Sequence, residues 1–249
     1  MFLLDFINLA GNFTKYFEVV PALTPELRNE VYRIRHAVYC EELGFEAARP
    51  DGMESDEYEA HSLHVLLRNI NNGDWVGCVR LVLARPDDPQ QPLPFEKYCA
   101  ASLDRRIVDP ANLPRESVAE VSRLAVLAHY RKRKGEQRTP VAISDRDFGT
   151  PEQPRFPYIP VGLYLGMIDL AHRHGLEHLF VLTEPRLARH LAALGVKIRR
   201  IGEGVDHRGH RVPSTMSVSG IIRGLSFFVR PLYETISGQV AQGLGERKA

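Results

Sequence analysis

The sequence has little cysteine, almost no net charge and no long apolar run, and each shortage excludes a class of protein. Three cysteines occur in 249 residues, at Cys40, Cys78 and Cys99, without C-x-x-C spacing, which argues against a disulfide framework or a zinc ribbon. Lysine and arginine number 32 against 31 aspartates and glutamates, which excludes a globally basic nucleic-acid binder but not a local basic patch. The longest charge-free apolar stretch, residues 156–168, is shorter than the roughly 20 residues of a membrane-spanning helix.

What remains is an ordinary globular composition, 44% hydrophobic and 25% charged, which excludes a disordered or collagen-like chain. At roughly 150 residues per domain, the length allows one large domain or two small ones, and we predict one domain over residues 1–249. The N-terminal MFLLDFINLAGNF is apolar but contains Asp5 and lacks a basic start, so it is a poor signal peptide. We therefore expect a cytoplasmic protein without a stable membrane span.

Hydrophobic periodicity and turn signals predict a chain that alternates between strands and helices. Strands are predicted at residues 17–20, 62–68, 75–84, 117–128, 179–182, 196–201 and 212–221. Helices are predicted at residues 24–43, 160–174, from 185 onward, and 225–241. This order indicates one α/β domain around a mixed sheet. Residues 131–158 are basic and proline-rich without periodicity, so we expect an irregular loop there.

The most informative stretch is ESVAEVSRLAV, residues 116–126. Strand alternation places five of its residues on one face: Val118, Glu120, Ser122, Leu124 and Val126. A carboxylate on an otherwise apolar face is costly to bury without a partner, and a half-buried Glu with a raised pKa suits a general base. A structural ion pair or an exposed sheet face explains the same pattern, so the strand alone leaves both interpretations open.

Two further groups of residues combine charge with apolar surroundings. Arg35 and Tyr39 share a stripe on the first helix, ahead of Phe45 and an acidic loop. Arg80 lies in the middle of the strand GCVRLVLA, where a charged side chain needs a carboxylate partner. Taken singly, each group is typical of a structural charge pair. His207 and His210 have no further ligands at suitable spacing, so we expect no metal site.

Four motifs follow one another between about residues 30 and 130: RHAVYCEELGF, ESDEYE, GCVRLVLA and AEVSRLAV. Together they resemble the acyl-homoserine-lactone (autoinducer) synthase family and its relatives, the long-chain N-acyl amino acid synthases and the acyltransferases associated with the PEP-CTERM/exosortase system. The later segments EPRLARHLAALGV and HRGHRVPS look most like the PEP-CTERM/exosortase group. The resemblance implies the GNAT N-acetyltransferase fold, an α/β architecture with a mixed, mostly antiparallel sheet flanked by helices.

The resemblance also implies roles for residues near the N-terminus. Arg35 and Tyr39 match the arginine and the aromatic residue of the family motif R-x-x-V-F, and Phe45 matches a position that is usually tryptophan. Asp56 matches the first acid of the next motif, and Glu59 stands where that family usually has aspartate. By analogy, these charged residues organise the N-terminal loop and the acceptor pocket.

The central strands carry the remaining matches. Arg80 matches the strand arginine, and Glu120, Ser122 and Arg123 match the family motif E-x-S-R, in which the glutamate is the proposed base. Two departures argue against an ordinary acetyl-CoA enzyme. RKRKGEQR is a poor match to a glycine-rich pyrophosphate loop, and EPRLARHLAALGV lacks the tyrosine that many acetyltransferases use to protonate the leaving thiolate.

A basic run follows the strand of Glu120, and residues 131–138 carry a formal charge of +4. The run contains Arg131, Lys132, Arg133 and Lys134. Acyl carrier proteins are acidic, so we expect this run to steer one toward the thioester channel. A solvated basic loop explains the same run, whereas nucleic-acid binding is poorly supported because only Tyr130 lies among the cations.

We therefore predict an N-acyltransferase that moves a long-chain fatty acyl group from an acyl carrier protein thioester, or from acyl-CoA, to the α-amine of an amino acid. No bound cofactor is expected. Acyl-homoserine-lactone synthesis with S-adenosylmethionine is the alternative on the same fold. A non-catalytic module that binds acyl groups or carrier proteins is the alternative from another class.

Overall fold

The computed structural model describes residues 8–85, 87–88, 90–131, 156–193 and 195–245. Its helices are α1 (Leu9–Thr14), α2 (Pro25–Arg35), α3 (Pro94–Cys99), α4 (Ala128–Arg131), α5 (Tyr158–Arg173), α6 (Pro185–Ala193), α7 (Val218–Gly224) and α8 (Arg230–Gly243). Most of the irregular loop predicted at residues 131–158 lies outside the described residues.

The described strands form one eight-stranded sheet. They are β1 (Phe17–Pro21), β2 (Ser62–Asn69), β3 (Trp75–Leu83), β4 (Val118–Val126), β5 (His178–Thr183), β6 (Arg199–Arg200), β7 (Val205–Asp206) and β8 (His210–Ser217). The order is β1-β2-β3-β4-β5-β8-β6, with β7 paired to β8. Strands β4 and β5 are parallel, and the other pairs among the described strands are antiparallel. The predicted mixed, mostly antiparallel sheet with flanking helices is confirmed.

One face of the sheet is covered by α5. Residues 161–171 of this helix are all buried, and α8 packs against α5 and β1. The helix lies close to the sheet at Gly166, where a Cβ atom would be 2.5 Å from Cγ1 of Val19. This packed layer supports β1 to β4 from behind and leaves their other face to α2 and the loop that follows it.

Helix α2 begins as the sequence predicts but ends in a different conformation. The Oγ1 atom of Thr24 accepts a hydrogen bond from the backbone N–H of Leu27 at 3.3 Å, and Pro25 occupies the first turn, as expected of a helix start. The helix continues beyond Arg35 as a π-helix, His36–Glu42. Such segments are rare and are frequent at functional sites, and this one carries Tyr39 toward β4.

Three segments near the C-terminus differ from the prediction. The strand predicted at 212–221 ends at Ser217, because the Ser217 hydroxyl accepts a hydrogen bond from Gly220 N at 2.9 Å and starts α7. The strand predicted at 196–201 is reduced to Arg199–Arg200. The final helix begins at Arg230 rather than near residue 225 and has a proline in its first turn, a position that proline favours.

Strand β4 contains a bulge that changes which residues share a face. Ser122 pairs with Arg80 and Ala125 pairs with Cys78, so β4 has one residue more than β3 in this interval. Arg123 accommodates the extra residue with a φ of 51°, a strained value for a residue other than glycine. The prediction that Leu124 and Val126 share a face with Glu120 is therefore wrong. Both pack with the hydrophobic cluster on the α5 side of the sheet.

Candidate active site

A pocket opens where β4 and β5 separate. Their parallel pairing ends at Val121 and Val181, and the β4 bulge follows immediately. The empty space, counted out into its open mouth, is about 1150 Å³. Residues from both faces of the sheet line this pocket. The pocket therefore reaches both faces of the sheet through the gap between β4 and β5.

The two sides differ in polarity. The polar side includes Arg80, Glu120, Ser122, Arg123, His207 and Arg208. The apolar side includes Val121, Tyr164, Val181, Leu187, Ile198 and Met216. Phe45, which the family resemblance places at a site position, also lines the pocket. A ligand with a charged end and an apolar chain matches this division.

Glu120 is the buried carboxyl group of the polar side. Its residue is 4% exposed, and its Oε2 accepts a hydrogen bond from the backbone N–H of Phe95 at 2.7 Å. Burial raises the pKa of Glu120 to about 8, although that hydrogen bond and the charges of Arg80 and Arg123 act in the opposite direction. Among the described residues none forms an ion pair with it within 4.0 Å. The carboxyl group can therefore gain and lose a proton near neutral pH.

The partner of Glu120 comes from an element that the sequence did not reveal. The four prolines of residues 85–95 predict a loop, but α3 begins at the end of this segment, with Phe95 in its first turn. The ring of Phe95 stacks on Phe180 of β5, with 4.7 Å between the ring centroids. This contact ties the backbone donor of Glu120 to the sheet itself.

Arg80 is fully enclosed and has the carboxylate partners that its position required. Its Nη1 atom lies 2.7 Å from Oδ1 of Asp56 and 2.8 Å from Oε1 of Glu59. Its Nε atom donates a hydrogen bond to Oγ of Ser122 at 3.0 Å. Arg80 therefore brings together three other residues predicted from the motifs. They are Asp56, Glu59 and Ser122.

Arg35 joins the same cluster from α2. Its Nη1 atom lies 2.7 Å from Oε1 of Glu59, and its Nε atom pairs with Glu54. Although burial alone would raise it, the pKa of Glu59 is held well below its usual range by the nearby imidazole of His64 and by the charges of Arg35 and Arg80. Glu54 was recognised only as one acid of the loop, and its role in this cluster was missed.

Arg123 completes the cluster from the β4 bulge. Its Nη2 atom lies 3.0 Å from Glu46, 3.1 Å from Glu54 and 3.4 Å from Asp56. The guanidinium group lies over the ring of Tyr39, 5.5 Å from its centroid. The hydroxyl of Tyr39 donates a hydrogen bond to the carbonyl oxygen of Leu124 at 3.0 Å. Tyr39 therefore supports both the side chain and the backbone of the bulge.

The cluster is balanced in charge. Three arginines, Arg35, Arg80 and Arg123, face three acids of the loop, Glu54, Asp56 and Glu59. Burial raises the pKa of Glu54 and Asp56, but the neighbouring arginines outweigh it and leave both pKa values lowered. We call these six residues the arginine–acid cluster. Its ion pairs hold the acidic loop against the sheet beside the pocket.

A hairpin formed by β7 and β8 covers the polar side and was missed as part of the site. His207 contacts the ring of Tyr98 in α3, with 3.9 Å between centroids. Arg208 pairs with Glu46, and Nη1 of Arg211 lies 3.0 Å from Glu184. The sequence draws attention to this hairpin through His207 and His210 and through the segment HRGHRVPS, but its arginines carry no signal of a shared pocket.

The basic run is described only at its first residue, Arg131. The side chain of Arg131 is 3% exposed and pairs with Glu42, and its Nε atom donates to the carbonyl oxygen of Val126 at 3.1 Å. Its guanidinium group is thus bound by the protein's own acceptors, and a contact of Arg131 with a carrier protein remains a prediction from the sequence. Lys132, Arg133 and Lys134 lie outside the described residues.

Comparison with known proteins agrees with this geometry. Residues 34–139 match the family model described as an acetyltransferase (GNAT) domain. The chain is an N-acyltransferase with the GNAT fold. It is 25% identical over 218 residues to an acyl-homoserine-lactone synthase from Aeromonas hydrophila, and 88% of each chain is covered. Among the described residues of this acyltransferase, none of the helices has the length and apolar character needed to span a membrane.

Solved structures resemble this acyltransferase in fold. The acyl-homoserine-lactone synthase LasI superposes with a TM-score of 0.56 at 16% identity and covers 84% of this chain and 95% of its own. FeeM, an N-acyl amino acid synthase from uncultured soil microbes, gives a TM-score of 0.53 at 13% identity, with 84% and 94% covered. At these identities the likeness concerns the fold alone.

Proposed function

We propose that this acyltransferase moves a long-chain fatty acyl group from a phosphopantetheine thioester to the α-amine of an amino acid and releases an N-acyl amino acid. The observation that carries the proposal is the position of Glu120. A buried carboxyl group with a pKa of about 8 lies in a pocket that is charged on one side and apolar on the other. A carboxyl group of this kind is suited to take a proton from an amine.

The chemistry balances with the protein's own groups. Ionised Glu120, directly or through a water molecule, takes one proton from the acceptor ammonium. The free amine attacks the thioester carbonyl carbon and forms the C–N bond. The tetrahedral intermediate then breaks its C–S bond, and the proton remaining from the attacking nitrogen goes to the departing thiolate. The products are an N-acyl amino acid and a free thiol, and Glu120 releases its proton to solvent before the next turnover.

The β4 bulge supplies candidates for holding the oxyanion. Beyond Val121 the backbone of β4 is no longer paired with β5, and the pocket passes beside residues 122–124. Backbone N–H groups that face developing negative charge stabilise such intermediates strongly. The hydrogen bond from Tyr39 to the Leu124 carbonyl oxygen supports a fixed backbone at this point.

The apolar side of the pocket supports a fatty acyl donor. Aliphatic and aromatic side chains of β5, α6, α5 and β8 line it, and each buried CH₂ group of a ligand contributes about 0.8 kcal/mol. We propose an acyl carrier protein as the donor, with acyl-CoA as the alternative. The basic residues Lys132, Arg133 and Lys134 remain the predicted docking site, and the PEP-CTERM/exosortase relationship remains a prediction from the sequence motifs.

Two coarser expectations accompany this proposal. We propose that residues 1–249 form one acyltransferase domain, because β1 near the N-terminus and β8 near the C-terminus belong to one sheet. We also propose a cytoplasmic location, which the three free and buried cysteines support because disulfides are rare in a reducing compartment.

The direct test offers the purified protein acyl carrier proteins and acyl-CoA compounds of several chain lengths, together with free amino acids. Mass spectrometry should detect an N-acyl amino acid that requires both substrates. Reversing Lys132 and Arg133 to Glu should slow the reaction with acyl carrier protein and affect acyl-CoA much less. Absence of any N-acyl amino acid with every donor would contradict the proposed function.

Acyl-homoserine-lactone synthesis is the second candidate, and a specific observation favours it. The Aeromonas hydrophila relative, which covers 88% of this chain, is an acyl-homoserine-lactone synthase. The first acylation would be the same, with S-adenosylmethionine as the acceptor, and ring closure would then release methylthioadenosine. Offering both acceptors with one donor separates the candidates, because a lactone that forms only with S-adenosylmethionine would replace the proposed product.

A further inference from the structure

We infer that Arg208 binds the carboxylate of the acceptor and thereby selects an amine that carries a carboxylate on its α-carbon. This inference rests on the proposed function and names the group that recognises its acceptor. Arg208 and Glu120 line the same pocket, and both the ammonium and the carboxylate of an amino acid must be accommodated there. A guanidinium group can donate two parallel hydrogen bonds to a carboxylate.

The choice of Arg208 follows from how the four pocket arginines are paired. Arg80 is 1% exposed and is held by Asp56 and Glu59. Arg123 is held by three acids, Glu46, Glu54 and Asp56. Neither can turn toward a substrate without breaking two or three ion pairs at once, which is costly for enclosed groups.

Arg208 differs because the described salt bridges give it one acid partner, Glu46, and this partner has a second cation. Glu46 pairs through the same oxygen, Oε1, with both Arg208 and Arg123. When a substrate carboxylate takes the guanidinium group of Arg208, Glu46 therefore keeps Arg123. Arg211 lacks this arrangement, because its partner Glu184 has no other cation among the described salt bridges. Replacing the acid partner by a substrate carboxylate therefore costs less free energy at Arg208 than at the other three pocket arginines.

The backbone is strained at Arg208, as it is at Arg123. Arg208 has a φ of 55°, in the left-handed region where residues other than glycine, asparagine and aspartate are uncommon. Such strain is frequent at ligand-binding positions. His207 holds the hairpin against Tyr98 of α3, the same helix whose first turn donates to Glu120. Arg208 is thus tied to the element that positions the proposed base.

The neighbouring imidazole does not compete for the carboxylate. Burial and the charges of Arg208, Arg123 and Arg211 lower the pKa of His207 to about 4, so its ring is neutral at pH 7. Arg208 therefore supplies the exchangeable positive charge on this hairpin, while His207 positions it.

The test compares L-amino acids with the matching L-amino acid amides, which keep the amine and lose the carboxylate charge. Arg208→Ala should lower the ratio of kcat/KM for the acid over the amide by about 10–100-fold, the effect of one charged hydrogen bond. The loss should appear in KM for the acid, and Arg208→Lys should restore part of it. Arg200→Ala, an exposed arginine on β6, is the matched control and should keep the ratio.

A binding measurement separates this inference from the proposed function. Isothermal titration with the same acids and amides needs no acyl donor, so it tests Arg208 even if no N-acyl amino acid forms. S-adenosylmethionine and its decarboxylated form provide the same pair of probes for the second candidate. An unchanged acid-to-amide preference in folded Arg208→Ala, or a loss of preference in Arg211→Ala alone, would overturn the inference.

Discussion

The arginine–acid cluster and Glu120 lie beside one another, yet the pKa values of their carboxyl groups are shifted in opposite directions. In the cluster each carboxylate contacts at least one arginine, and the pKa values of its acids are lowered. Glu120 is as deeply buried but has a backbone N–H as its close partner, and its pKa is raised. Glutamate is therefore held in its ionised form in the arginine–acid cluster, whereas Glu120 is able to take up a proton.

Replacing Glu120 should have the largest effect on catalysis. Glu120→Gln keeps the shape and the hydrogen bond from Phe95 but cannot accept a proton, so kcat should fall by about 10²–10⁴-fold. The matched control is Glu116→Gln, an exposed glutamate just before β4, which should keep full activity. Near-normal turnover of a folded Glu120→Gln protein would show that Glu120 is structural, as would be expected of a non-catalytic binding module.

Breaking the cluster should instead affect folding. Arg80→Ala leaves Asp56 and Glu59 without one of their cations, and removing one partner of a buried ion pair typically costs about 3–5 kcal/mol in the free energy of unfolding. Urea denaturation measures this loss. Arg106→Ala, which removes an arginine that is 90% exposed, should change little. If the two variants unfold at the same urea concentration, the cluster does not hold the loop in place.

The two regions should also respond to pH in opposite directions. The pKa of Glu120 in the folded state is above its ordinary value of 4.5, so its contribution to stability is present below that value and is lost as pH rises through about 8. The lowered pKa values of Glu54 and Asp56 stabilise the fold above their ordinary range and lose this contribution as pH falls. The difference in unfolding free energy between the wild type and Glu120→Gln, measured from pH 4 to 9, should therefore change progressively from about pH 4.5 to about pH 8 and stay constant above that range.

The smallest effect is expected where the two regions meet. Tyr39→Phe removes the hydrogen bond to the Leu124 carbonyl oxygen while keeping the ring beneath Arg123. The loss should be about 0.5–1.5 kcal/mol in the free energy of unfolding, with a modest fall in kcat because the bulge is less firmly held. Tyr16→Phe, at a position that is 53% exposed, is the control. An equal effect of both substitutions would remove Tyr39 from the support of the bulge.

Much of this arrangement could be predicted from the sequence because strand alternation and helix caps are local signals. The sheet, the start of α2 and the need of Arg80 for a carboxylate follow from such patterns, whereas strand alternation left open whether Glu120 is buried. The motifs also pointed to the residues that meet around Arg80 and Arg123. Their assigned roles in catalysis and acceptor binding remain predictions.

The rest depends on contacts between distant parts of the chain. The β4 bulge depends on register with β3, and so the faces of Leu124 and Val126 could not be assigned by simple alternation. The donor to Glu120 comes from α3, in a segment that proline content marked as loop. Arg208 meets Glu46 across 162 positions, a pairing without a periodic signal. Arg131 begins a basic run in the sequence, and its pairing with Glu42 also depends on a distant segment of the chain.

The protonation of Glu120 tests the central claim most directly. Labelling glutamate side chains with ¹³C and titrating the wild type alongside Glu120→Gln identifies the signal of this one carboxyl group by NMR. We predict a midpoint at about pH 8, while the acids of the arginine–acid cluster stay ionised down to acidic pH. A midpoint at or below 4.5, the ordinary value for glutamate, would place Glu120 among the fixed charges and contradict its role as the base.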